Sequence, residues 1–173
     1  GTRVDWEIIH GNHPLIVLES LGRMIDSKMR EVGGMTYTAE EQAFAEQIYQ
    51  SFDQPEQKLG SEQTIEDFSV GLSYGSTDVG DVSIAVPTVG FKTATWVPGT
   101  SAHSWQAVSA GGTSIGHKGA SIAAKVIALG AIELMQNAEL RTRARQEWQE
   151  KRGENFEYHA LLGDREPPLD YRK

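Results

Sequence analysis

The sequence predicts a layered α/β domain, and three observations along the chain support this fold class. Residues 3–9 alternate polar and apolar side chains, which is the period of a half-buried β-strand. Apolar residues recur every three or four positions over 15–32, which is the period of a helix. A β-branched run from about residue 88 precedes a long apolar segment over 114–136. Strands separated by long helices are typical of a sheet that is covered by helices.

Local end signals set the helix boundaries in the first third of the chain. Gly33 and Gly34 follow the first helical stripe and predict its end. Thr38 and Glu41 have the spacing of a capping box, so a second helix is expected over about 38–52. Residues 53–67 are polar and have no period, which predicts a mobile surface loop.

The second half of the chain predicts one strand, two helices and an irregular tail. The strand is expected from about Thr88, with Pro87 at its start, where a missing N–H donor does little harm. The helix over 114–136 has a narrow polar stripe, so we expect it to be mostly buried. A charged helix over about 138–152 contains pairs at i,i+4, such as Glu139 with Arg143 and Glu147 with Lys151.

Composition excludes several classes of function. The chain has 173 residues and a net charge of −8, and it has no basic stripe, so a nucleic-acid partner is not expected. It has no cysteine, so a metal would have to bind to His, Asp or Glu. The most apolar stretch carries Lys125 and Glu133 and is short for a bilayer span, so no membrane association is expected. We expect a cytoplasmic protein.

The loop over 75–81, of sequence GSTDVGD, has two interpretations. In the structural one, Ser76, Thr77 or Asp78 caps a short helix and the glycines allow a tight turn. In the functional one, small residues let a ligand approach the backbone N–H groups while hydroxyls and a carboxylate orient it. The residues alone favour the structural interpretation.

Four histidines are candidates for chemistry. His103 lies in a loop of small residues after the predicted strand, where histidines serve as ligands or acid/base groups. His10 and His13 are spaced i,i+3, but no carboxylate follows closely, so a structural role is favoured. His117 stands where a phosphate loop requires lysine, so nucleotide binding is rejected.

Taken as one string, residues 75–131 resemble the C-terminal part of the peptidase M20 family. The segments GSTDVGDVS, VPTVGFKTATWV, PGTSAHSWQ and TSIGHKGASIAAKVIALGAIELM match its p-aminobenzoyl-glutamate hydrolase branch in order and spacing. Upstream, MREVGGMTYTAEEQAFAEQI resembles the point where the chain of that branch returns from a lid domain. The resemblance implies a layered α/β/α catalytic domain that hydrolyses the amide bonds of small N-acyl amino acids.

The resemblance also implies site residues. Enzymes of this family use two adjacent zinc or manganese ions to activate a water, with a glutamate as general base. The position that matches the last metal ligand of the family is His103.

The Gly-Ser-Thr-Asp loop matches a segment that lies against the substrate. The resemblance therefore makes Gly75, Ser76 and Thr77 substrate contacts and Asp78 an orienting group. His117 matches a recurrent position at a helix start, for which a structural or outer-shell part is expected.

The family's other metal ligands and its general base have no counterpart in this sequence. Glu40 and Glu41 are adjacent, but they are better explained as the start of a helix. We therefore expect a fragment, with 1–12 the end of a lid, or dimerisation, domain and 13–173 the C-terminal part of the catalytic domain. Alone it is expected to be inactive and to bind zinc weakly, and its expected partners are the missing N-terminal half, a second copy and a small-molecule amide.

The sequence also allows a second hypothesis about the function of the chain. In it, the chain is a non-catalytic interaction module that folds alone and associates through an exposed sheet edge. His-x-Asp and Glu-Glu motifs upstream in the gene would favour the enzyme.

Overall fold

The computed structural model describes residues 1–71, 75, 77–164, 166 and 169–170, and these residues form α-helices and no β-strand. A short 3-10 turn, Ser61–Gln63, interrupts the predicted loop between the second and third helices. The α-helices are α1 (Glu19–Val32), α2 (Ala39–Tyr49), α3 (Val79–Ala85), α4 (Trp105–Gly111), α5 (Ser114–Gln136) and α6 (Ala138–Arg152). The predicted layered α/β fold class is therefore wrong for this chain as described.

Both predicted strands are irregular segments in the described structure. Residues 3–9 and 88–97 contain no strand in the described structure. A strand forms only where a neighbouring segment exchanges a regular series of backbone hydrogen bonds with it, and neither run forms such a series in the described structure. Val4, Trp6 and Ile8 have the alternation of a strand but are exposed, because nothing covers their apolar side.

The predicted helices form where local signals were strong. α1 ends at Gly33, which has a φ of 82° and whose N–H donates to the carbonyl of Met29. α2 begins with the predicted capping box: the Thr38 hydroxyl accepts from the N–H of Glu41, and the Glu41 carboxylate accepts from the N–H of Thr38. α5 and α6 have the bounds that their periods predicted.

Two apolar clusters hold the helices together, and α5 contributes to both. The first joins α1, α5 and α6 through the buried residues Leu18, Leu21, Met24, Ile25, Val126, Leu140, Ala144 and Trp148. The second joins α2, α4 and α5 with the segment before α4 through Met35, Ala45, Ile48, Val97, Ala110 and Ile115. The clusters lie towards opposite ends of α5, so α5 connects the two halves of the fold.

α5 is less buried than its narrow polar stripe predicted. By length and composition it is the one helix in the described part of the chain that could cross a membrane, and 17% of its most apolar window is buried. The core helix of a soluble protein meets the same two criteria. Five of its residues are buried, namely Ile115, Gly116, Gly119, Val126 and Gly130, so the predicted burial is wrong.

Residues 13–16 connect α3 to the rest of the molecule. A side chain at Gly80 would collide with the carbonyl of His13, so only glycine permits this close approach. The N–H of Ile16 donates to the buried Ser83 hydroxyl at 2.9 Å. The indole N–H of Trp148 on α6 donates to the carbonyl of Ser83 at 2.7 Å. α3, which follows the candidate loop, is thereby fixed between the N-terminal segment and α6.

Glu147 on α6 caps α1 from a distance. Leu18 precedes α1 and has no side chain that can cap it. The Glu147 carboxylate instead accepts from the backbone N–H groups of Glu19, at 2.7 Å, and Ser20, at 3.0 Å. It also forms the predicted pair with Lys151, at 2.8 Å, which is confirmed.

Candidate functional site

His103 lies in a tight turn immediately before α4. Its φ is 59°, in the left-handed region that residues other than glycine rarely adopt. Ser104 then caps α4, because its hydroxyl accepts from the N–H of Ala107 at 3.2 Å and donates to the carbonyl of Ser101 at 2.7 Å. The turn holds the imidazole in an exposed position outside the helix. A strained backbone conformation of this kind is a common property of functional turns.

The imidazole borders an open groove of about 560 Å³, here called the tryptophan groove. Trp96 and Trp105 are 36% and 59% exposed, and Val108 is exposed as well. Ser104 and Ala107 complete the lining, which is formed by Trp96, His103, Ser104, Trp105, Ala107 and Val108. The groove is therefore apolar apart from one imidazole and one hydroxyl.

The amphipathic character of α4 produces this groove. Ala107 and Ala110 face the interior and are buried. Trp105 and Val108 are three residues apart, so they share the opposite, outward face. Trp96 lies near the far end of the helix, where its indole nitrogen approaches Gly111. The two indoles thus lie near opposite ends of α4.

The predicted substrate loop is in part a helix entrance. The Thr77 hydroxyl accepts from the N–H of Val79 at 3.3 Å. Asp78 directly precedes α3 and no side chain caps the helix, so neither Thr77 nor Asp78 forms the cap that the structural interpretation expected. Gly75, Thr77 and Asp78 are exposed and line neither of the two grooves described here. Ser76 lies outside the described residues. The substrate-binding role of this loop stays a prediction.

His117 lines a second groove, of about 460 Å³, on α5. Beside it, Lys118 donates to the buried carboxylate of Glu41 and to the carbonyl of Thr36. The hydrogen bond from Lys118 is the main reason why the pKa of Glu41 is lowered to about 2. The ion pair joins the start of α2 to α5. The structure thus brings His117 and His103 to different grooves.

His13 has a structural environment. Its Nε2 atom lies 2.9 Å from the carbonyl oxygen of His159. The ring contacts the aromatic rings of Phe156 and Tyr158. The backbone N–H of His13 donates to Asp81, at 3.2 Å, and the Tyr158 hydroxyl donates to the same carboxylate, at 3.0 Å. His13 therefore attaches the segment after α6 to the N-terminal segment.

The described residues do not form a complete metal centre. No group of three or more His, Asp or Glu side chains that could hold an ion occurs among them. A stable zinc or manganese site needs three or more donors, whereas the tryptophan groove contains one imidazole. These residues fit one ligand position and do not fit a dinuclear centre on their own.

Sequence reasoning missed the two tryptophans. Trp96 and Trp105 were not singled out, although they lie on either side of the candidate histidine in the sequence. Trp105 and Val108 also have the i,i+3 spacing of a common helix face. The signal that could have found them is an aromatic residue beside a loop histidine in a segment of small residues.

Comparison with known proteins gives one partial match. No family model matches the chain, and no solved structure does. A subunit of the p-aminobenzoyl-glutamate hydrolase of Escherichia coli strain K12 is similar to the chain, with 43% identity over 75 residues. The match covers 43% of this chain and 16% of that protein. The similarity supports a relationship to this kind of hydrolase over part of the chain.

Proposed function

We propose that this chain is part of a metal-dependent amidohydrolase that cleaves p-aminobenzoyl-glutamate or a related N-acyl amino acid. The carrying observation is the partial identity to a p-aminobenzoyl-glutamate hydrolase, 43% over 75 residues. The exposed imidazole of His103 at the edge of a groove of ligand size adds to it.

In this proposal, His103 is one ligand of a pair of zinc or manganese ions. The pair, when bound, would lower the pKa of a water and polarise the scissile carbonyl, so that an unactivated amide is attacked near neutral pH. The role of this chain is to hold the imidazole outside α4, where its nitrogen is accessible. The remaining donors and the general base would come from an N-terminal portion of the enzyme. A homodimer belongs to the same proposal.

The predicted loop has a secondary role in this proposal. Gly75, Ser76 and Thr77 would contact the substrate, with Asp78 orienting them. His117 would act indirectly, through the start of α5, because it lines a separate groove.

The test is the substitution His103→Ala in protein expressed from the whole reading frame and loaded with zinc or manganese. Loss of a direct ligand should lower kcat/KM for p-aminobenzoyl-glutamate by at least about a hundredfold and reduce the bound metal. His10→Ala is the matched control, because His10 is exposed and lies in neither groove. Near-normal turnover and metal content in His103→Ala would remove His103 from the site.

The non-catalytic alternative differs in what protein expressed from the whole reading frame should do. Its exposed sheet edge has no counterpart in the described residues, but exposed apolar side chains occur along α5, including Ile127, Ile132 and Met135. An interaction module would associate through such a surface without hydrolysing any amide. Absence of hydrolysis with either metal in protein expressed from the whole reading frame, together with stable self-association of that protein, would favour this alternative.

A further inference from the structure

We propose that the tryptophan groove binds the aromatic ring of an aryl amide, next to the imidazole of His103. This inference rests on the proposed amidohydrolase function and extends it, since it assigns the acyl side of the substrate to particular residues.

Both indoles that line the groove are exposed. Indole is a large apolar group that proteins usually bury, yet Trp105 is 59% exposed and Trp96 is 36% exposed. Both line the same groove, together with the exposed Val108. Aromatic faces and a branched aliphatic side chain around one space are typical of a site for a flat, apolar group.

The lining of the tryptophan groove contains no acidic residue, lysine or arginine. The Ser104 hydroxyl already donates to Ser101 and accepts from Ala107, so its hydrogen-bonding capacity is largely used within the protein. A carboxylate or phosphate would therefore find no cation there. The groove suits the neutral ring, and the charged end of the substrate has to lie outside it.

The imidazole of His103 lies at the tryptophan groove. His103 is the one titratable side chain in the lining, and the turn before α4 sets it at the groove. A ring bound in this groove would share its space with the imidazole that is the proposed metal ligand. The groove of about 560 Å³ is within the range of small-molecule sites, which is about 300–1,000 Å³.

The test is a titration of the 173-residue chain with p-aminobenzoate, observed through the indole N–H signals of its four tryptophans. The signals of Trp96 and Trp105 should shift, while those of Trp6 and Trp148 should not. Cyclohexanecarboxylate and glutamate serve as non-aromatic probes and should cause much smaller shifts. Equal shifts with cyclohexanecarboxylate, or shifts at Trp6 as large as at Trp105, would overturn the proposal.

Substitutions sharpen the test. Trp105→Ala should weaken p-aminobenzoate binding by about tenfold, whereas Trp105→Phe should retain most of the affinity because it keeps an aromatic face. Trp6→Ala is the matched control, since Trp6 is an exposed tryptophan outside the groove, and its affinity should be unchanged. If Trp105→Ala and Trp6→Ala bind equally well, with circular dichroism showing that both are folded, the ring does not bind there.

The enzyme assay separates this inference from the proposed function. In protein from the whole reading frame, Trp105→Ala should reduce kcat/KM for p-aminobenzoyl-glutamate more than for acetyl-glutamate, by about tenfold. Activity with an unchanged ratio would refute the groove and leave the amidohydrolase intact. If the protein binds p-aminobenzoate in the groove but shows no amidase activity with any metal, the amidohydrolase function is refuted and ring binding is kept.

Discussion

Trp148 and Trp105 show how the same side chain serves two different regions of this molecule. Trp148 is 4% exposed, packs in the cluster formed by α1, α5 and α6, and donates its indole N–H to Ser83. Trp105 is on the outward face of α4 beside His103, and most of its surface is accessible. The α6 side therefore buries its tryptophan in a core cluster, while the α4 side leaves one accessible to solvent.

The largest effect on stability is expected for Trp148→Ala. Removal of a buried indole loses its burial and leaves a cavity, and such changes cost about 3–5 kcal/mol. The free energy of unfolding, measured with urea, should fall by that amount. Trp6→Ala is the control with an exposed indole, and it should remain within about 0.5 kcal/mol of the unmodified chain. A small effect of Trp148→Ala would mean that α6 is not held at this junction.

A smaller loss is expected when the long-range cap of α1 is removed. Glu147→Gln weakens the hydrogen bonds to the backbone N–H groups of Glu19 and Ser20 and removes the charge paired with Lys151. Loss of a helix cap costs about 0.5–2 kcal/mol. Glu150→Gln on the same helix is the matched control, because Glu150 is exposed and accepts its hydrogen bond from Gln146 on α6 itself. An equal loss in both variants would contradict the capping role.

The difference in stability between the unmodified chain and Glu147→Gln should depend on pH in a defined direction. Burial alone would raise the pKa of Glu147, but hydrogen bonds from Lys151, Ser20 and Glu19 outweigh burial and lower it to about 2. A carboxyl whose pKa is lower in the folded state contributes stability above its unfolded pKa, which is about 4.3. The contribution is lost as the pH falls towards 2. The stability gap between the unmodified chain and Glu147→Gln should therefore be constant above about pH 5 and shrink below it.

The sequence predicted the elements that depend on local interactions. α1, α2, α5 and α6 follow from helical periods, and the capping box of Thr38 and Glu41 involves residues three apart. Such signals act within one or two turns of a helix, so a single sequence is sufficient to find them. The pair of Glu147 with Lys151 belongs to the same class.

The parts that depend on distant partners could not be predicted. Residues 3–9 and 88–97 have strand-like patterns, but a strand also needs a neighbour, and none is present in the described parts of the chain. The contact of Glu147 with the start of α1 joins residues more than a hundred positions apart. The tryptophan groove arises because the segment before α4 brings Trp96 to the end of that helix. His103 was predicted from its loop and its role stays a prediction, whereas the position of Trp96 at the same groove needed the tertiary structure.

Trp105→Ala is expected to change stability least, in contrast to Trp148→Ala. An indole that is mostly exposed and has no hydrogen-bond partner in the described structure contributes little to folding, so the free energy of unfolding should change by less than about 0.5 kcal/mol. The same variant is expected to lose ring binding. The two roles are separate if Trp105→Ala keeps the stability of the chain but loses ring binding, while Trp148→Ala loses stability. A loss of more than about 2 kcal/mol at Trp105 would instead make the groove part of the core, because only buried side chains have effects of that size.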